Sequence, residues 1–531
     1  MNMLDKFIGV FSPESALKRD VARQKQKFIN SLYGSGKGYG KYGASFARKS
    51  LLGWITSGTN ADDDIVDNIE TLRNRSRDLY MGAPLATGAL KTMRTNIVGS
   101  GLALNPQIDA EFLGLTEDEA RTWEKAVTRE WKLWAETVEC DAERRQNFYQ
   151  LQSLVLLSAL MSGDVFVTMP VVRRGGSVYD LRIGLIEADR VCNPQGEIAN
   201  GRNVLGGVEI GQYGETVAYW IAKYNPGSFP KLVGISDKQE WTRVHAFGKA
   251  TGRRNVLHIM ADVERPAQRR GVPLLAPVIE SLKQLSRYSE AELMAAVVAG
   301  MFTVFIKSNS PSTPLGQMFD PASHLDHDPN SYELGNGAIV GLEEGEEVQI
   351  ANPGRPNTAF DGFVIAISRQ IGAALEIPYE LLVKSFTASY SAARASLLEA
   401  WKMFRMRREW LIGGFCKPVY EEWLTEAVLK GRIKAEGFLT DPAIRAAWCG
   451  AEWYGDAQGQ LDPLKEANAA KVRVEEGFST REREAAELTG MEWETIHAVR
   501  KREEELRRND GLVQAPIMVP NNSEEVETNE E

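Results

Sequence analysis

The sequence feature that most constrains the fold is a helical pattern through residues 392–430. Its large apolar residues recur three, four or seven positions apart and therefore share one face of an α-helix. They are Leu398, Trp401, Phe404, Leu411, Phe415, Val419 and Trp423. At 1.5 Å per residue, this helix would be about 60 Å long. Gly413-Gly414 and Pro418 interrupt the pattern, so we expect a kink there.

In the segment before this helix, the spacing of apolar residues changes from helical to β-type and back to helical. In chain order it predicts a helix at 275–300, a β-type segment at 303–306, a loop at 308–337, a β-hairpin at 338–350, a helix at 360–375 and a polar loop at 384–391. The acidic residues 343–347 would form the tip of the hairpin. In a helix–β–helix arrangement of this kind, the chain extends away from the domain along one helix and returns along the other.

Residues 50–272 have the pattern of one α+β domain. Helical spacing covers residues 62–98, 116–135 and 149–162. From Tyr179 to Leu185, apolar residues then alternate with polar residues or glycine, which predicts a half-buried strand. Residues 208–221 predict a hairpin around a glycine-containing turn. Near the other end of the chain, residues 464–508 are helical and highly charged, with a capping-box pattern that begins at Ser479.

The two ends of the chain carry opposite charge. Residues 1–61 contain ten Lys and Arg against three acidic residues, with a glycine-rich stretch at 34–43. Glycine raises the entropic cost of ordering a backbone, so this end predicts a mobile basic arm, either a contact for nucleic acid or an acidic partner, or a solubilising tail. After Arg508 the chain has six acidic residues and no Lys or Arg, which predicts a disordered acidic tail.

Composition excludes several classes of protein. The 531 residues allow about three or four domains, and 25% charged with 43% hydrophobic residues is ordinary for a folded soluble chain. Four cysteines are too few for a disulfide scaffold, and the absence of C-x-x-C spacing argues against a thiolate zinc site. A net charge of −10 argues against a general nucleic-acid binder. The longest apolar run, 293–306, is too short to span a membrane, and no secretory signal is visible.

Catalytic motifs are mostly absent from the sequence. It contains no Walker A loop, no H-E-x-x-H and no G-x-S-x-G. Gly38-x-Gly40-x-x-Gly43 matches the dinucleotide pattern but lacks the flanking strand and helix. His258 lies in an apolar strand pattern, where we expect a hydrogen-bonded core histidine.

One loop has the residue types of a metal site. His324-x-x-His327 lies beside Asp320, Asp326 and Asp328, a set that could provide nitrogen and oxygen ligands. The same residues are expected in any polar, proline-flanked loop. We therefore expect neither a metal nor another cofactor.

Two further clusters have alternative interpretations. Trp123, Trp131 and Trp134 could stack on bases, but their helical spacing favours a packed core face. A basic cluster on the long helix could bind phosphates or, as we prefer, glutamates of a neighbouring subunit. Its members are Lys402, Arg405, Arg407 and Arg408.

Short blocks in a fixed order point to a known family. They are RNRSRDLY at 73–80, NIVGSG at 96–101, IEADR at 186–190, GVEI at 207–210, VAYW at 217–220, RPAQRRGV at 265–272, IPYELL at 377–382, YSAAR at 390–394 and LLEAW at 397–401. Together, over about residues 70–432, they resemble the lambda-type portal proteins of tailed bacteriophages.

The resemblance implies an α+β portal fold with a wing, a two-helix stem, a β-containing clip and a helical crown, assembled into a ring. By position, the regions would be a basic arm at 1–61, the wing at 62–272, the first stem helix at 273–300, the clip at 301–357, the second stem helix at 358–379, a tunnel loop at 380–391, the long kinked helix at 392–430, the crown at 431–508 and an acidic tail at 509–531.

The resemblance also implies a function. The protein would be a ring, usually of twelve subunits, at one vertex of the viral head, present in the virion and, during assembly, in the host cytoplasm. It would be no enzyme but a passive channel for packaging and ejecting double-stranded DNA and a nucleator of procapsid assembly. The implied partners are further copies of the chain, double-stranded DNA, the terminase large subunit, the scaffolding and major capsid proteins and the head–tail connector protein, with no membrane.

The sequence is compatible with these roles. An acidic channel would let DNA slide without sticking, since DNA binds through Lys and Arg, and a separate motor would explain the missing ATP motif. The candidate channel residues are Lys384 as a cation, Phe386 and Tyr390 as steric contacts, and Ser385, Thr387 and Ser389. Phe386 and Tyr390 could instead pack the loop against the next subunit.

The resemblance also suggests residues for contacts with partners. The candidate docking residues of the clip are Glu343, Glu344, Glu346 and Glu347, and the inter-subunit candidates are Lys402, Arg405, Arg407 and Arg408.

Two rival hypotheses remain open on the sequence. The first is a metal-dependent nuclease that uses Asp320, His324, Asp326 and His327, which DNA cleavage with Mg²⁺ or Mn²⁺ would reveal. The second is a monomeric capsid-assembly adaptor that binds through its charged C-terminal helices. A particle mass near 59.0 kDa would identify it.

Overall fold

In the computed structural model, the described residues are 21, 49–51, 54, 58–194, 203–226, 239–300, 304–308, 346–350, 359–386, 389–457, 463–490 and 493–512. The chain forms two compact units, residues 1–60 and 61–531. In the first, the described part contains a 3₁₀ turn at Lys49–Leu51. Most of the predicted basic arm, including the glycine motif at 38–43, and the acidic tail beyond residue 512 lie outside the described residues.

Helices open the second unit. They are α1 (Ala61–Ile65), α2 (Ile69–Gly82), α3 (Pro84–Ile97), α4 (Ala110–Leu113), α5 (Glu117–Ala135) and α6 (Phe148–Ser162), with strand β1 (Ala103–Pro106) before α4. The predicted helical segments are confirmed, although the first is broken into three. One break is at Ala83, which is extended (φ −108°, ψ 111°). Pro84 then starts α3, because its fixed φ suits a first helical residue and its missing N–H costs nothing there.

Small antiparallel sheets follow. Their strands are β2 (Asp164–Thr168), β3 (Gly184–Ile186), β4 (Val204–Leu205), β5 (Val208–Ile210), β6 (Thr216–Ala222), β7 (Trp241–His245) and β8 (Val256–Met260). One sheet has the order β3-β2-β8 and pairs Val165 with Ile259, and the other has the order β4-β5-β6-β7. The predicted hairpin at 208–221 is confirmed as β5–β6. Helices and sheets therefore share one α+β unit, residues 61–531.

The half-buried strand predicted at 179–185 is wrong in part. Regular strand begins only at Gly184. The Glu426 carboxylate accepts hydrogen bonds from the backbone N–H groups of Asp180 and Leu181 at 2.5 and 2.8 Å, and the Trp134 indole donates to Leu181 O at 3.0 Å. The side chains of Glu426 and Trp134 therefore hydrogen-bond to backbone N–H and C=O groups that would otherwise be free to pair with a neighbouring strand. Arg182, expected on the solvent side, is buried.

Two helices and a pair of strands form the predicted helix–β–helix excursion. They are α7 (Ile279–Gly300), β9 (Val304–Ser308), β10 (Glu346–Ile350) and α8 (Phe360–Ala374). Tyr288 of α7 meets Phe360 and Phe363 of α8 at ring distances of 5.5 and 5.0 Å. No helix in the described part of the chain is long and apolar enough to cross a lipid bilayer.

The predicted hairpin at 338–350 needs correction. β10 pairs with β9, so that Glu346 lies opposite Ser308 and Glu347 opposite Lys307. Glu346 and Glu347 are therefore strand residues and not part of a hairpin tip. Residues 338–345 lie outside the described residues.

The long helix is present but starts earlier than predicted. It consists of α10 (Tyr390–Leu411), a π-helical segment (Ile412–Cys416) and α11 (Lys417–Leu429). Ser389 caps it, since its hydroxyl accepts the Ala392 N–H at 3.4 Å. The predicted irregularity at Gly413-Gly414 and Pro418 takes the form of the π-helical segment. The first part of the loop predicted at 380–391 is instead helix α9 (Tyr379–Val383).

The rest of the described chain is α12 (Pro442–Trp448), β11 (Ala451–Tyr454), α13 (Pro463–Glu475), α14 (Arg481–Thr489) and α15 (Trp493–Asn509). β11 pairs with β1, which ties this end of the chain to the first helices. The capping box predicted from Ser479 is wrong by one residue. The cap of α14 is Thr480, which has an extended backbone and accepts the Arg483 N–H at 3.2 Å.

An aromatic core joins the long helix to α5 and α6. Trp131 meets Trp423 and Phe148 edge-on at 5.1 Å, and Phe148 stacks on Phe415 at 5.4 Å. Such ring pairs contribute about 0.5–1.5 kcal/mol each beyond the burial of their area. Trp131 and Trp134 are buried, which confirms the predicted core face. A second apolar cluster contains residues of both sheets, among them Phe166 of β2, Val256 of β8 and Tyr219 of β6.

Candidate functional site

A fully buried charge junction lies where α2, β2 and β8 meet. Its centre is Asp164, the first residue of β2, which has no exposed surface. Asp164 Oδ1 accepts hydrogen bonds from Arg73 Nη2 at 2.8 Å and Arg270 Nη2 at 3.0 Å. Oδ2 accepts from Arg270 Nε at 2.6 Å and from the Gly271 N–H at 3.1 Å, and His258 Nε2 lies 3.2 Å away. One carboxylate therefore holds two arginines and a histidine together.

Arg270 extends the junction into two irregular loops. Its Nη1 donates to the carbonyl oxygens of Val191 and Gly206 at 2.6 Å each, and its Nη2 donates to Ala188 O at 2.8 Å. The guanidinium also lies over the Phe166 ring, 5.1 Å from its centre. A single side chain thus joins the strand, both loops and the second apolar cluster.

Blocks that carry the family resemblance meet at this junction. Arg73 and Arg77, from the block 73–80, pair with Asp189 of the block 186–190. Arg270 belongs to the block 265–272. Residues that are far apart in the chain therefore build one structure.

The electrostatics of the junction favour a structural role. Burial alone would raise the pKa of Asp164, but Arg270 and Arg73 outweigh it and hold the pKa well below its usual range. Burial lowers the pKa of His258 despite its bond to Asp164, so the imidazole is neutral. Burial and Arg270 lower the pKa of Arg73 to about 10. Because the group is closed to solvent, it fixes the geometry of the domain and offers no room for a substrate. The prediction of a hydrogen-bonded core histidine at 258 is confirmed.

The residues predicted for the tunnel loop lie between α9 and α10. Lys384 has a left-handed backbone (φ 54°) and ends α9, and the Ser385 N–H donates to Glu380 O at 3.1 Å. Phe386 is 53% exposed. Ser389 is the cap of α10. Thr387 lies outside the described residues, and Tyr390 is the first residue of α10.

A rigid corner between α8 and α9 supports this loop. The Ile377 N–H donates to Gly372 O at 2.9 Å, and a Cβ on Gly372 would lie only 2.6 Å from Ile377 O. The Arg369 guanidinium lies over the Tyr379 ring at 5.5 Å, and Leu382 is buried. The exposed Lys384 and Phe386 are therefore presented from a fixed base.

The four basic residues predicted for subunit contacts divide into two pairs. Arg407 is buried and binds Asp262 at 3.2 Å, while Arg408 donates to Ile97 O at 2.9 Å. Both are thus occupied within the subunit. Lys402 and Arg405 are exposed, with Lys402 paired to Glu399 on its own helix.

A groove of about 1020 Å³ runs between α10 and the C-terminal helices. Leu398, Trp401 and Arg405 line one wall, and Lys465, Glu466 and Glu487 line the other. Because its walls carry both signs of charge, the groove lacks the uniformly basic character of a nucleic-acid site.

The other candidates from the sequence are not brought together. No group of three or more His, Cys, Asp or Glu among the described residues is arranged to hold a metal ion. The proposed metal loop, Asp320, His324, Asp326, His327 and Asp328, lies outside the described residues, as do Glu343 and Glu344.

Sequence reasoning missed Asp164 and Asp456. Asp456 accepts hydrogen bonds from the Ser100 N–H at 2.8 Å and the Ser100 hydroxyl at 2.6 Å, and so ties the segment after β11 to the end of α3. One signal could have found Asp164: it is a lone carboxylate between an apolar helix and an apolar strand. Asp456 has no such signal.

Comparisons with known proteins agree with the blocks in the sequence. A family model described as phage portal protein, lambda family, matches residues 48–408. Portal protein B of Escherichia phage lambda is 25% identical over 503 residues, which are 90% of this chain and 90% of that protein. The portal protein of Escherichia phage N15 is 26% identical over 497 residues, which are 90% of this chain and 91% of that protein.

Among solved structures, a chain from the neck of a native gene transfer agent particle is 14% identical, with a TM-score of 0.41 over 79% of this chain and 92% of that chain. A likeness of that size carries no argument about function. The family model, in contrast, covers more than half of the chain and includes all three blocks that converge on Asp164. On this basis, the chain belongs to the lambda family of phage portal proteins.

Proposed function

We propose that this chain is a ring-forming portal protein without enzymatic activity. About twelve copies close around a channel at one vertex of the viral head, through which double-stranded DNA is packaged and later ejected. The ring nucleates procapsid assembly with the scaffolding and major capsid proteins, docks the terminase motor and later binds the head–tail connector. The observation that carries this proposal is the family match over residues 48–408, together with the 90% coverage of the lambda portal protein.

Exposed apolar side chains on α7 and α8 support a ring. Leu293, Met294 and Val297 are 65%, 57% and 45% exposed, and Phe363 is 47% exposed. Clustered apolar surface of this kind marks an interaction site in soluble proteins. In a ring, neighbouring copies of the two helices would cover it, since cyclic symmetry joins two different faces of each subunit.

We assign the regions of the subunit by position. Residues 62–272 would form the wing, 273–300 and 358–379 the stem, 301–357 the clip, 384–389 the tunnel loop after helix α9, 390–429 the long helix and 431–508 the crown, with the basic arm at 1–61 and the acidic tail at 509–531. The clip would use Glu343, Glu344, Glu346 and Glu347 for docking. Lys402 and Arg405 are the members of the basic cluster that remain available to a neighbouring subunit.

The channel would repel DNA along most of its length, because the subunit has a net charge of −10 and DNA is held through Lys and Arg. Lys384 and Phe386, presented from the α8–α9 corner, would touch it intermittently. The test is Lys384→Ala and Phe386→Ala in a packaging and DNA-retention assay. Phe478→Ala is the matched control, since Phe478 is an 80% exposed phenylalanine in the turn between α13 and α14. If both loop variants package and retain DNA normally, the loop has no role in the mechanism.

The ring itself is tested by electron microscopy of the purified full chain. The expected result is an end-on average with a perforated annulus and a mass many times 59.0 kDa. A well-folded particle that keeps a mass near 59.0 kDa at high concentration would contradict the proposal and favour a monomeric adaptor. DNA cleavage on addition of Mg²⁺ or Mn²⁺ would contradict the absence of enzymatic activity.

A further inference from the structure

A concave site, called here the α3–α6 pocket, lies between the end of α3 and the first half of α6. Its volume is about 400 Å³. Arg94 and Ser100 line it from the α3 side, Leu154 and Leu157 line it from α6, and Arg145 lines it from the loop before α6. The described residues of the lining include no aspartate or glutamate. The pocket therefore combines cationic and apolar side chains without an acidic one.

Buried contacts hold the two sides of the α3–α6 pocket together. The Leu102 N–H donates to Gln152 Oε1 at 2.7 Å, and Gln152 Nε2 donates to Leu102 O at 3.1 Å. Gly101 approaches α6 so closely that a Cβ on it would lie 2.5 Å from Tyr149 Cβ. A pocket with fixed walls loses little conformational freedom when a ligand binds, which favours affinity.

Arg94 makes this pocket a candidate site for an anionic group. Its side chain is half-buried, yet within the described part of the chain no carboxylate or other group pairs with its guanidinium. A charge that is partly removed from water normally has a partner, because burial weakens its solvation. Arg145 lies 3.4 Å from Glu143, in a pair whose side chains are 78% and 61% exposed and which therefore contributes little. Both guanidinium groups thus remain available to a ligand with acceptor oxygens.

The acidic tail of the same chain carries the complementary groups. Beyond Leu512 it contains glutamates but no Lys or Arg. In the run Glu524-Glu525-Val526-Glu527, an apolar residue stands among carboxylates. Carboxylates bind guanidinium groups through short, charge-assisted hydrogen bonds. A valine in the same run matches the apolar part of the pocket, where Leu154 is 39% exposed.

The tail is long enough to reach the pocket. Ser100 binds Asp456 through its N–H at 2.8 Å and its hydroxyl at 2.6 Å. A Cβ on Gly490, which ends α14, would lie 3.8 Å from the Asp456 Cα, so α15 begins near the pocket. α15 has 17 residues and is about 25 Å long. From Leu512 to Glu525 an extended chain can span about 40 Å, which exceeds the length of α15.

We propose that the α3–α6 pocket binds the acidic tail of this chain, with the carboxylates of residues 524–527 at Arg94 and Arg145 and Val526 against Leu154. The docked tail gives the half-buried Arg94 its missing counter-charge. It also fastens the end of α15 to the helices at the start of the unit.

Proteolysis of the full chain by a glutamate-specific protease tests this proposal. Mass spectrometry follows the release of C-terminal fragments that are cut within residues 524–527. A synthetic peptide of residues 513–531, treated in the same way, gives the rate for a tail that is not docked. We expect the tail of the full chain to be cut severalfold more slowly than the peptide at about 0.05 M NaCl. At about 0.5 M NaCl the two rates should approach each other, since salt screens the attraction.

Three variants test whether the protection comes from this pocket. Arg94→Gln and Arg145→Gln each remove one of its two positive charges, and each should raise the rate of tail cleavage severalfold at low salt. Leu154→Asp adds a carboxylate to the pocket and should release the tail by repulsion. Arg121→Gln is the matched control, because it removes a 58% exposed arginine of α5 that does not line the pocket. Its tail should be cut at the wild-type rate.

Two results would overturn the proposal. The first is a wild-type tail that is cut as fast as the free peptide at low salt, since such a tail is not docked. The second is protection that stays at the wild-type level in Arg94→Gln and Arg145→Gln. In that case the tail is held elsewhere, and the pocket serves another anion such as a DNA phosphate.

Discussion

Replacing Asp164 by asparagine tests the buried junction directly. The substitution keeps the shape of the side chain but removes its charge and one of its two acceptor oxygens. Asp164 accepts four hydrogen bonds, from Arg73, from two atoms of Arg270 and from the Gly271 N–H. An asparagine would turn its NH₂ group toward two of these donors. It would leave Arg270 without its carboxylate and Arg73 with only the longer contact to Asp189 at 3.6 Å. Breaking a buried ion pair on one side costs about 3–5 kcal/mol, and we expect a loss of stability in that range.

Urea unfolding of the full chain, followed by tryptophan fluorescence, measures this loss. Trp131, Trp134 and Trp423 lie in the core, so the signal reports on the packed unit. The control is Glu399→Gln, which removes the partner of Lys402 in an ion pair whose carboxylate is 71% exposed. An exposed pair contributes less than about 1 kcal/mol, so this variant should unfold almost as the wild type does. If Asp164→Asn lowered the free energy of unfolding by as little as Glu399→Gln does, the reasoning would be refuted.

Three further predictions follow from buried groups. The free energy of unfolding should fall as pH drops from about 7 to 5, because an unfolded histidine takes up a proton near pH 6.5 whereas buried His258 has a lowered pKa. His258→Gln should flatten this part of the urea-midpoint profile, and an unchanged profile would contradict the assignment. Arg407→Ala should destabilise the subunit by more than about 1 kcal/mol in urea unfolding, because it removes a buried guanidinium that binds Asp262 and Ala261 O. Lys402→Ala should leave subunit stability nearly unchanged in the same assay and weaken the ring in sedimentation, since Lys402 is exposed. Three buried thiols should resist a thiol reagent at pH 8 in the folded chain and react after unfolding, since burial raises their pKa, to about 12 for two of them. They are Cys140, Cys449 and Cys416.

Local patterns in the sequence predicted the helices well. The long helix was visible because its apolar period is a property of consecutive residues, and its aromatic face packs on α5 and α6 as the spacing of Trp131 and Trp134 indicated. Its start at Tyr390 was missed by two residues because a cap depends on one hydroxyl, that of Ser389, and not on a period.

Contacts between distant segments could not be predicted in this way. The sequence places Arg407 in an exposed basic cluster, but its side chain is buried and pairs with Asp262, 145 residues away. The same holds for the strand predicted at 179–185, where Glu426 supplies backbone hydrogen bonds from 245 residues away. Such partners leave no periodic signal. Only the family resemblance linked remote segments, and it did so without showing that they meet.

The composition of the junction follows from the loops that surround it. The backbone around Ala188, Val191 and Gly206 is mostly irregular, and the carbonyl groups of these three residues point inward, where no neighbouring strand donates to them. Each buried carbonyl without a partner costs about 1–3 kcal/mol, so one side chain with several donors is needed at their centre. Arg270 meets this requirement, and its buried charge then requires a carboxylate, which Asp164 supplies. An apolar side chain at 270 would remove the donors of the Val191 and Gly206 carbonyls and leave Ala188 O with only the Val191 N–H at 3.3 Å, even if the carboxylate were removed with it. The irregular loops, the arginine and the aspartate therefore depend on one another.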